Sequence, residues 1–167
     1  DVVLSRGLGD VYKRQIAGLM NPDDGKVTLS NKDISKLPMH KRSKLGIKYL
    51  PQEPSVFQNL TVYENLLGLA ELSFKNKKDI TDFVSNSIEE FGLSDITQLK
   101  GRQLSGGQRR KVEIARTLAA KPKIILLDEP FAGIDPIAIE DIKKVLKKLS
   151  GKGLSLIHIS EPTRQHH

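Results

Sequence analysis

Apolar residues recur at helical spacing in two stretches of the chain. The first stretch is followed by Gly92 and contains Ile80, Phe83, Val84, Ile88 and Phe91. The second runs up to the glycines of residues 150–153 and contains Ile139, Ile142, Val145, Leu146 and Leu149. Positions three and four apart share one face of an α-helix, so each stretch predicts an amphipathic helix with one buried face.

Three shorter elements are predicted in the first third of the chain. Residues 21–30 read as a turn followed by a strand, and Gly25 can supply the positive φ that such a turn uses. Residues 37–45 form a short helical candidate. Residues 46–50 read as a strand that stops at Pro51.

The remaining patterns decide the fold class. Thr61 lies three residues before Glu64, which is the spacing of a capping box and predicts a helix over residues 61–72. A further helix is expected from about Gly106 to Ala120. The run "IILLD" at residues 124–128 is continuously apolar before its acid, as expected for a buried parallel strand.

Strands thus alternate with helices at both ends of the chain, whereas residues 54–103 are mainly helical in pattern. We therefore predict an α/β core that carries an inserted helical subdomain.

Composition excludes several classes of protein. The chain has 167 residues, no cysteine and no apolar run that approaches a membrane span, so disulfides, cysteine metal sites and direct membrane insertion are excluded. The formal charge of +7 suits an anionic partner, but the lysines are spread over several segments and indicate a solvated basic surface. Aromatic residues make up 5% of the chain and do not interleave with the basic clusters, which argues against a nucleic-acid partner.

The stretch "LSGGQ" at residues 104–108 stands at the start of a predicted helix. Glycine is otherwise a poor choice there, but Gly106 and Gly107 would let a phosphate approach backbone N–H groups at the positive end of the helix dipole. Ser105 adds a hydroxyl donor. The simpler interpretation is a helix cap with a flexible lead.

The segment "IILLDEPFAGIDP" at residues 124–136 places two adjacent acids after a buried strand, where ligands bind in parallel sheets. Asp128 could hold Mg²⁺ and Glu129 could polarise an attacking water as a general base. Gln52 follows the strand at residues 46–50, and its carboxamide could contact metal, water and a γ-phosphate. A surface turn is the alternative for the acids, although four preceding apolar residues favour burial.

Together these motifs resemble those of the ATP-binding-cassette (ABC) ATPase family over nearly all of residues 16–153. The resemblance implies a P-loop NTPase-like core, ATP and Mg²⁺ as cofactors, and a head-to-tail dimer with a second ABC ATPase subunit. It makes Gln52 the glutamine loop, Leu104 to Gln108 the signature motif, Glu129 the catalytic glutamate and Ala132 to Asp135 the D-loop. In the family, the signature closes over ATP held by the partner, so Ser105, Gly106, Gly107, Gln108 and Asp135 are expected to contact nucleotide.

Within the family, residues 37–66 and 128–149 resemble the cassettes that drive lipopolysaccharide export in Gram-negative bacteria. That likeness implies a location on the cytoplasmic face of the inner membrane, with a groove near Phe57 for the transmembrane permease subunits. Three alternatives remain open: a branched-chain amino-acid importer cassette, a non-transport ABC ATPase and a catalytically dead regulatory module. Phe57 could equally be an ordinary core aromatic.

Two expected family elements are missing. No G-x-x-x-x-G-K-[ST] phosphate loop (Walker A) occurs, because its lysine and hydroxyl residue would fall near Gly9 and Asp10. The switch histidine is also absent, since the context of His158 does not match and a chance histidine is the better interpretation. We therefore expect the chain as written to bind ATP weakly and to hydrolyse it negligibly.

Both ends of the chain look foreign to the rest. Residues 1–15 and 154–167 do not continue the adjoining patterns and resemble translated sequencing-adapter DNA. This predicts a partial ABC ATPase domain at residues 16–153, truncated at both ends, with a helical subdomain at about residues 54–103.

Overall fold

The computed structural model describes residues 14–19, 21 and 25–159. Residues 14–17 are helical, and a two-stranded antiparallel hairpin follows, with β1 at Thr28–Leu29 and β2 at Lys32–Asp33. Gly25, in the expected turn before β1, has the predicted positive φ, at 88°, and the residues just before it lie outside the described part of the chain. The second strand of the hairpin was not predicted, because two exposed residues carry no periodic signal.

Short and long helices flank the second sheet. Helix α1 spans Met39–Lys44, α2 spans Val62–Ser73, α3 spans Lys77–Glu90, α4 spans Gly106–Leu118 and α5 spans Pro136–Gly151. Single 3₁₀ turns cover Ser94–Ile96 and Gly101–Gln103. Each predicted helix is confirmed, with ends that differ from the expected positions by a few residues.

The central sheet has three parallel strands in the order β3–β4–β5. They span Ile47–Leu50, Ile124–Asp128 and Ser155–Ile159. The first four residues of β4 are buried, as the continuous apolar run predicts for a central parallel strand. Strand β5 lies in the predicted foreign tail; a short apolar segment forms a strand whatever its origin, so that prediction stays open.

The sheet separates two hydrophobic clusters, because successive side chains of a strand point to opposite faces. Leu50, Ile125 and Leu127 face the larger cluster, which also contains residues of α2, α3, α4 and α5. Ile47, Ile124 and Leu126 face the smaller cluster with Ile16 and Val27. Between β3 and β4, residues 54–103 hold α2, α3 and both 3₁₀ turns, as expected for a helical insertion.

Arg42 ties the smaller cluster to the start of the described chain. Its guanidinium is fully buried and donates hydrogen bonds to the backbone oxygens of Gln15, Ile16, Ser35 and Leu37. The carbonyls of Gln15 and Ile16 lie at the C-terminal end of the helical turn at residues 14–17, where a nearby positive charge is favourable. Burial lowers the pKa of this guanidinium, and the four carbonyls offset the loss of water.

Candidate functional site

The carboxyl end of β4 brings one predicted metal ligand to the edge of the sheet. Asp128 is the last residue of the strand and is half-buried. The hydroxyl of Tyr49, from the neighbouring strand β3, donates a hydrogen bond of 2.6 Å to its Oδ2 atom. Burial, and then this bond, raise the pKa of the Tyr49 hydroxyl well above its usual value, so the hydroxyl stays protonated and acts as the donor.

Glu129, the predicted general base, follows directly in an unusual conformation. Its φ is 43°, in the left-handed region that a residue with a side chain seldom adopts. Its carbonyl accepts a hydrogen bond of 3.2 Å from the N–H of Ala132, which closes the turn after the strand. Strain of this kind costs about 1–3 kcal/mol and is concentrated at functional sites, so it supports a role for Glu129 in the chemistry.

Gln52 lies just past the end of β3, with its side chain exposed. Parallel strands end at the same edge of a sheet, so the structure places Gln52 and Asp128 on that edge, after neighbouring strands. Within residues 14–19, 21 and 25–159, no group of three or more His, Cys, Asp or Glu side chains could enclose a metal. The donors on this edge are a carboxylate and a carboxamide, which are oxygen ligands of the kind that Mg²⁺ takes together with water and phosphate oxygens.

The signature residues form a capped helix start. The Oγ of Ser105 accepts a hydrogen bond of 3.2 Å from the N–H of Gln108, and the Gln108 Oε1 accepts one of 2.9 Å from the N–H of Ser105. This reciprocal pair is a capping box, so the cap interpretation of "LSGGQ" is confirmed in this structure. In the bond from the Gln108 N–H, the Ser105 hydroxyl is the acceptor, so its own proton is not used in the cap.

The two glycines of the motif differ in their surroundings. A Cβ on Gly107 would lie 2.5 Å from the Cβ of Ala138 in α5, whereas a Cβ on Gly106 would have 3.5 Å to its nearest neighbour. Gly107 is buried, so close packing of α4 on α5 requires a glycine there. Sequence reasoning assigned both glycines to phosphate approach and missed this packing constraint.

Asp135, expected in the D-loop, is the N-cap of α5. Its Oδ1 accepts a hydrogen bond of 2.9 Å from the N–H of Ala138, and Pro136 occupies the first helical position. The residue is exposed, so its carboxylate faces solvent beside the start of α4.

A buried ionic cluster connects α4 to the turn that follows β4. Arg110 and Glu113 form a salt bridge of 3.0 Å, and both side chains are nearly inaccessible to solvent. Arg110 also donates hydrogen bonds to the carbonyl of Pro130 (3.2 Å) and to the carbonyl of Pro51 (3.0 Å). Burial lowers the pKa of the Arg110 guanidinium, and the carboxylate of Glu113 opposes that shift. The cluster was missed; its signal was a pair of opposite charges three residues apart within a buried helix.

Helix α4 also contacts the segment around Phe57. Glu113 Oε1 accepts a hydrogen bond of 2.8 Å from the N–H of Ser55, and the Arg116 guanidinium lies 4.7 Å from the centre of the Phe57 ring. The buried amide of Asn65 bonds the N–H and the carbonyl of Phe57. Phe57 itself is 52% exposed, which rules out a core aromatic and leaves it on the surface of the insertion.

His158 reaches the same edge of the sheet as the acids. It pairs in register with Leu127, is exposed, and its ring packs edge-on against Phe131 with 5.2 Å between centroids. Residues 5–10, where no lysine stands in register for a phosphate loop, lie outside the described residues, as do His166 and His167. Among the described helices, none combines the length and apolar character that crossing a membrane requires.

The sequence and fold match known proteins. The family described as ABC transporter matches residues 13–132. The lipopolysaccharide export system ATP-binding protein LptB of Haemophilus influenzae is 49% identical in an alignment of 155 residues, and the match covers 90% of this chain and 63% of that protein. The chain therefore spans less than two thirds of this relative's length.

Solved structures agree on the fold. MJ1267, an ATP-binding cassette of an ABC transporter, matches with a TM-score of 0.78 and 30% identity, over 89% of this chain and 64% of that one. The ATP-binding cassette MJ0796, in a dimeric post-hydrolysis state bound to ADP and Pi, matches with a TM-score of 0.73 and 26% identity, over 91% of this chain and 69% of that one. The predicted α/β cassette fold is thus confirmed, and the chain belongs to the ABC transporter ATP-binding family.

Proposed function

We propose that this chain is part of a subunit that hydrolyses ATP to power an ABC transporter. One observation carries the proposal: Asp128 ends the central strand, Glu129 follows it, and Arg110 of the signature helix donates a hydrogen bond to the carbonyl of the next residue, Pro130. The signature helix is therefore bonded to the turn that carries the two acids.

Each predicted residue has a role that its surroundings support. Asp128, with Gln52 on the same edge, would hold Mg²⁺, which supplies charge neutralisation for the phosphate oxygens when bound. Glu129 would accept a proton from the attacking water, and its strained backbone directs it from the end of the strand. The amides of Gly106 and Gly107 and the hydroxyl of Ser105 would donate to the phosphates of ATP at the N-terminus of α4.

The signature acts, in this proposal, on ATP held by a second ABC ATPase subunit. Ser105 and Asp135 are exposed at neighbouring helix starts, and the apolar Ile137 beside them is 79% exposed. The dimeric MJ0796 cassette, bound to ADP and Pi, supports this arrangement by its fold.

We further propose that the transported molecule is lipopolysaccharide and that the subunit works at the cytoplasmic face of the inner membrane. The support is the LptB relative at 49% identity. The exposed Phe57, held by Asn65 and Arg116, would form the groove that receives the transmembrane permease subunits. Through Ser55 and Glu113, this groove is connected to the signature helix.

The chain alone is expected to bind ATP weakly and to turn it over negligibly, since the sequence has no phosphate-loop lysine in register. A nucleotide titration measures the affinity, and a phosphate-release assay measures the turnover. Micromolar affinity together with turnover that Glu129→Gln abolishes would contradict this expectation.

A mixing experiment tests the proposed function directly. The partner is the Haemophilus influenzae LptB protein with the serine of its own signature changed to arginine, so that it retains nucleotide binding but lacks a working signature. Adding this chain should restore ATP turnover, because Ser105 would complete the partner's site. Ser105→Arg should prevent the restoration, and the control Ser150→Arg, at an exposed position of α5, should not. The proposal would be overturned if Ser105→Arg restored ATP turnover as well as the parent chain does, or if no variant restored any turnover.

A further inference from the structure

We propose that Tyr49 is a positioning residue for the cation: its hydrogen bond to Oδ2 orients the Asp128 carboxylate to bind Mg²⁺. This inference rests on the proposed function, in which Asp128 holds the metal. Tyr49 belongs to none of the motifs that the sequence analysis singled out. It was predicted only as part of the strand at residues 46–50.

The register of the sheet places the two side chains on one face. Tyr49 pairs with Leu126, and paired residues of parallel strands point to the same side. Asp128 lies two residues beyond Leu126, so it shares that face. The phenol must therefore extend along the strand direction by about 7 Å, two residue rises, to reach the carboxylate.

Only a long and rigid side chain meets that requirement. The ring of Tyr49 packs against the smaller hydrophobic cluster, which contains Ile47, Ile124 and Leu126. That packing fixes the ring, and the ring fixes the hydroxyl. A serine or threonine would be too short, and a phenylalanine would fill the same space without a donor.

The contact is a short hydrogen bond from a phenol to a carboxylate oxygen. Its 2.6 Å length falls in the range of O–H···O⁻ bonds, which are stronger than neutral ones. It uses Oδ2, one of the two oxygens of a carboxylate that has about four acceptor positions in all. The bond therefore limits rotation of the carboxylate.

Orientation matters here because the protein offers few ligands. Mg²⁺ demands near-ideal octahedral geometry, and within the described part of the chain no cluster of three acidic or histidine side chains surrounds Asp128. The angle of the Asp128 carboxylate therefore affects how well it meets that geometry. Partners that orient a metal ligand are typically worth 10–100-fold in affinity or activity.

The test measures the binding of Mn²⁺ alone. The fraction of bound ion is obtained from the loss of the electron paramagnetic resonance signal of free Mn²⁺. The full chain is compared with Tyr49→Phe, Tyr49→Leu and Asp128→Asn, and with the control Tyr63→Phe, whose ring is 43% exposed on α2. Thermal unfolding of each variant is recorded alongside. Asp128→Asn should abolish the bound fraction, and Tyr49→Phe should weaken binding by about tenfold.

A positioning role and a structural role give different patterns. If the hydroxyl orients the carboxylate, Phe and Leu at position 49 weaken Mn²⁺ binding equally, while only Leu lowers the melting temperature substantially. If Tyr49→Phe binds Mn²⁺ as the parent does while Asp128→Asn does not, the role of Tyr49 is overturned and the metal site stands. If Asp128→Asn binds as the parent does, the metal site of the proposed function is overturned, and this inference with it.

Discussion

The two halves of α4 use polar residues in opposite ways. In the middle of the helix, Arg110 and Glu113 are buried, and their charges are satisfied by each other and by backbone groups. At its N-terminal end, Ser105 and Gln108 are held only by a capping box at the surface. Losing a cap costs about 1 kcal/mol, whereas leaving one partner of a buried pair without the other costs about 3–5 kcal/mol. The exposed N-terminal half can therefore exchange its partners for a ligand, and the buried half cannot.

The difference shows how the site is divided between rigidity and access. The buried half fixes the relative positions of the turn at Pro130, the segment at Ser55 and the helix. The exposed half presents amides and a hydroxyl that a phosphate can contact. The comparison is sharpened by changes to polar residues, which should cost much stability in the buried half and little in the exposed half.

The largest effect is expected from Glu113→Ala. The change leaves Arg110 buried without its carboxylate and removes the acceptor of the Ser55 N–H, so the free energy of unfolding should fall by about 3–5 kcal/mol. Urea denaturation followed by circular dichroism measures it. The control Glu71→Ala, on the exposed face of α2, should stay within about 0.5 kcal/mol of the parent. Equal losses in both variants would remove the distinction between buried and exposed polar residues.

Gly107→Ala should have the next largest effect. Its methyl group would lie 2.5 Å from the Cβ of Ala138, so overpacking should cost about 1–3 kcal/mol despite the better helix propensity of alanine. Gly106→Ala, with 3.5 Å of space, should be neutral or slightly stabilising. Adding Ala138→Gly to Gly107→Ala should recover stability in a double-mutant cycle, with a coupling of about 1 kcal/mol or more. A coupling near zero would show that the contact is relieved in another way.

A smaller effect is expected at the cap of α5. Asp135→Ala removes the acceptor of the Ala138 N–H and should lower the free energy of unfolding by about 1 kcal/mol. Asp135→Asn keeps a capping oxygen but lacks the charge, so its free energy of unfolding should fall by only a few tenths of a kcal/mol. Thermal and urea unfolding distinguish the two. If Asn and Ala lose equally, the charge rather than the cap holds the helix start.

The smallest effect concerns the exposed Asp33. Its Oδ1 accepts a hydrogen bond of 2.9 Å from the N–H of Ser35, and bonds to Ser35 lower the pKa of this carboxyl. A lowered folded-state pKa gives stability that is present above the unfolded value of 3.8 and is lost as the pH falls through the folded value. The stability difference between the parent and Asp33→Asn should therefore be larger at pH 6 than at pH 2.5. A difference that is independent of pH would exclude this linkage.

Periodicity and capping signals were sufficient to predict most of the fold. The predicted helices at Ile80 to Phe91 and at Ile139 to Leu149 each bury one face, and the spacing of their apolar residues indicates which face that is. Strand β4 was predictable because a central parallel strand is apolar throughout. The hairpin at residues 28–33 was not, because two-residue exposed strands have no pattern to read.

The site was predictable only where a motif marks it. Asp128, Glu129 and Ser105 stand in recognisable order, and the structure places them at a strand end, in a strained turn and at a helix cap. Tyr49 and Arg110 act through contacts 79 and 20 residues away in sequence, and such contacts leave no local signal. The packing of Gly107 on Ala138 likewise depends on how two helices meet, which the sequence of either helix does not specify.

The most direct test of the division within α4 is amide hydrogen exchange in the mixture with the signature-defective LptB partner, with and without ATP and Mg²⁺. Exchange at residues 105–108 should slow when nucleotide is added, because contacts with the ATP held by the partner replace the surface cap there. Exchange at residues 112–116 should stay as slow as before, since that half of the helix is already buried and bonded. Nucleotide-dependent protection confined to residues 112–116, with none at residues 105–108, would contradict the account.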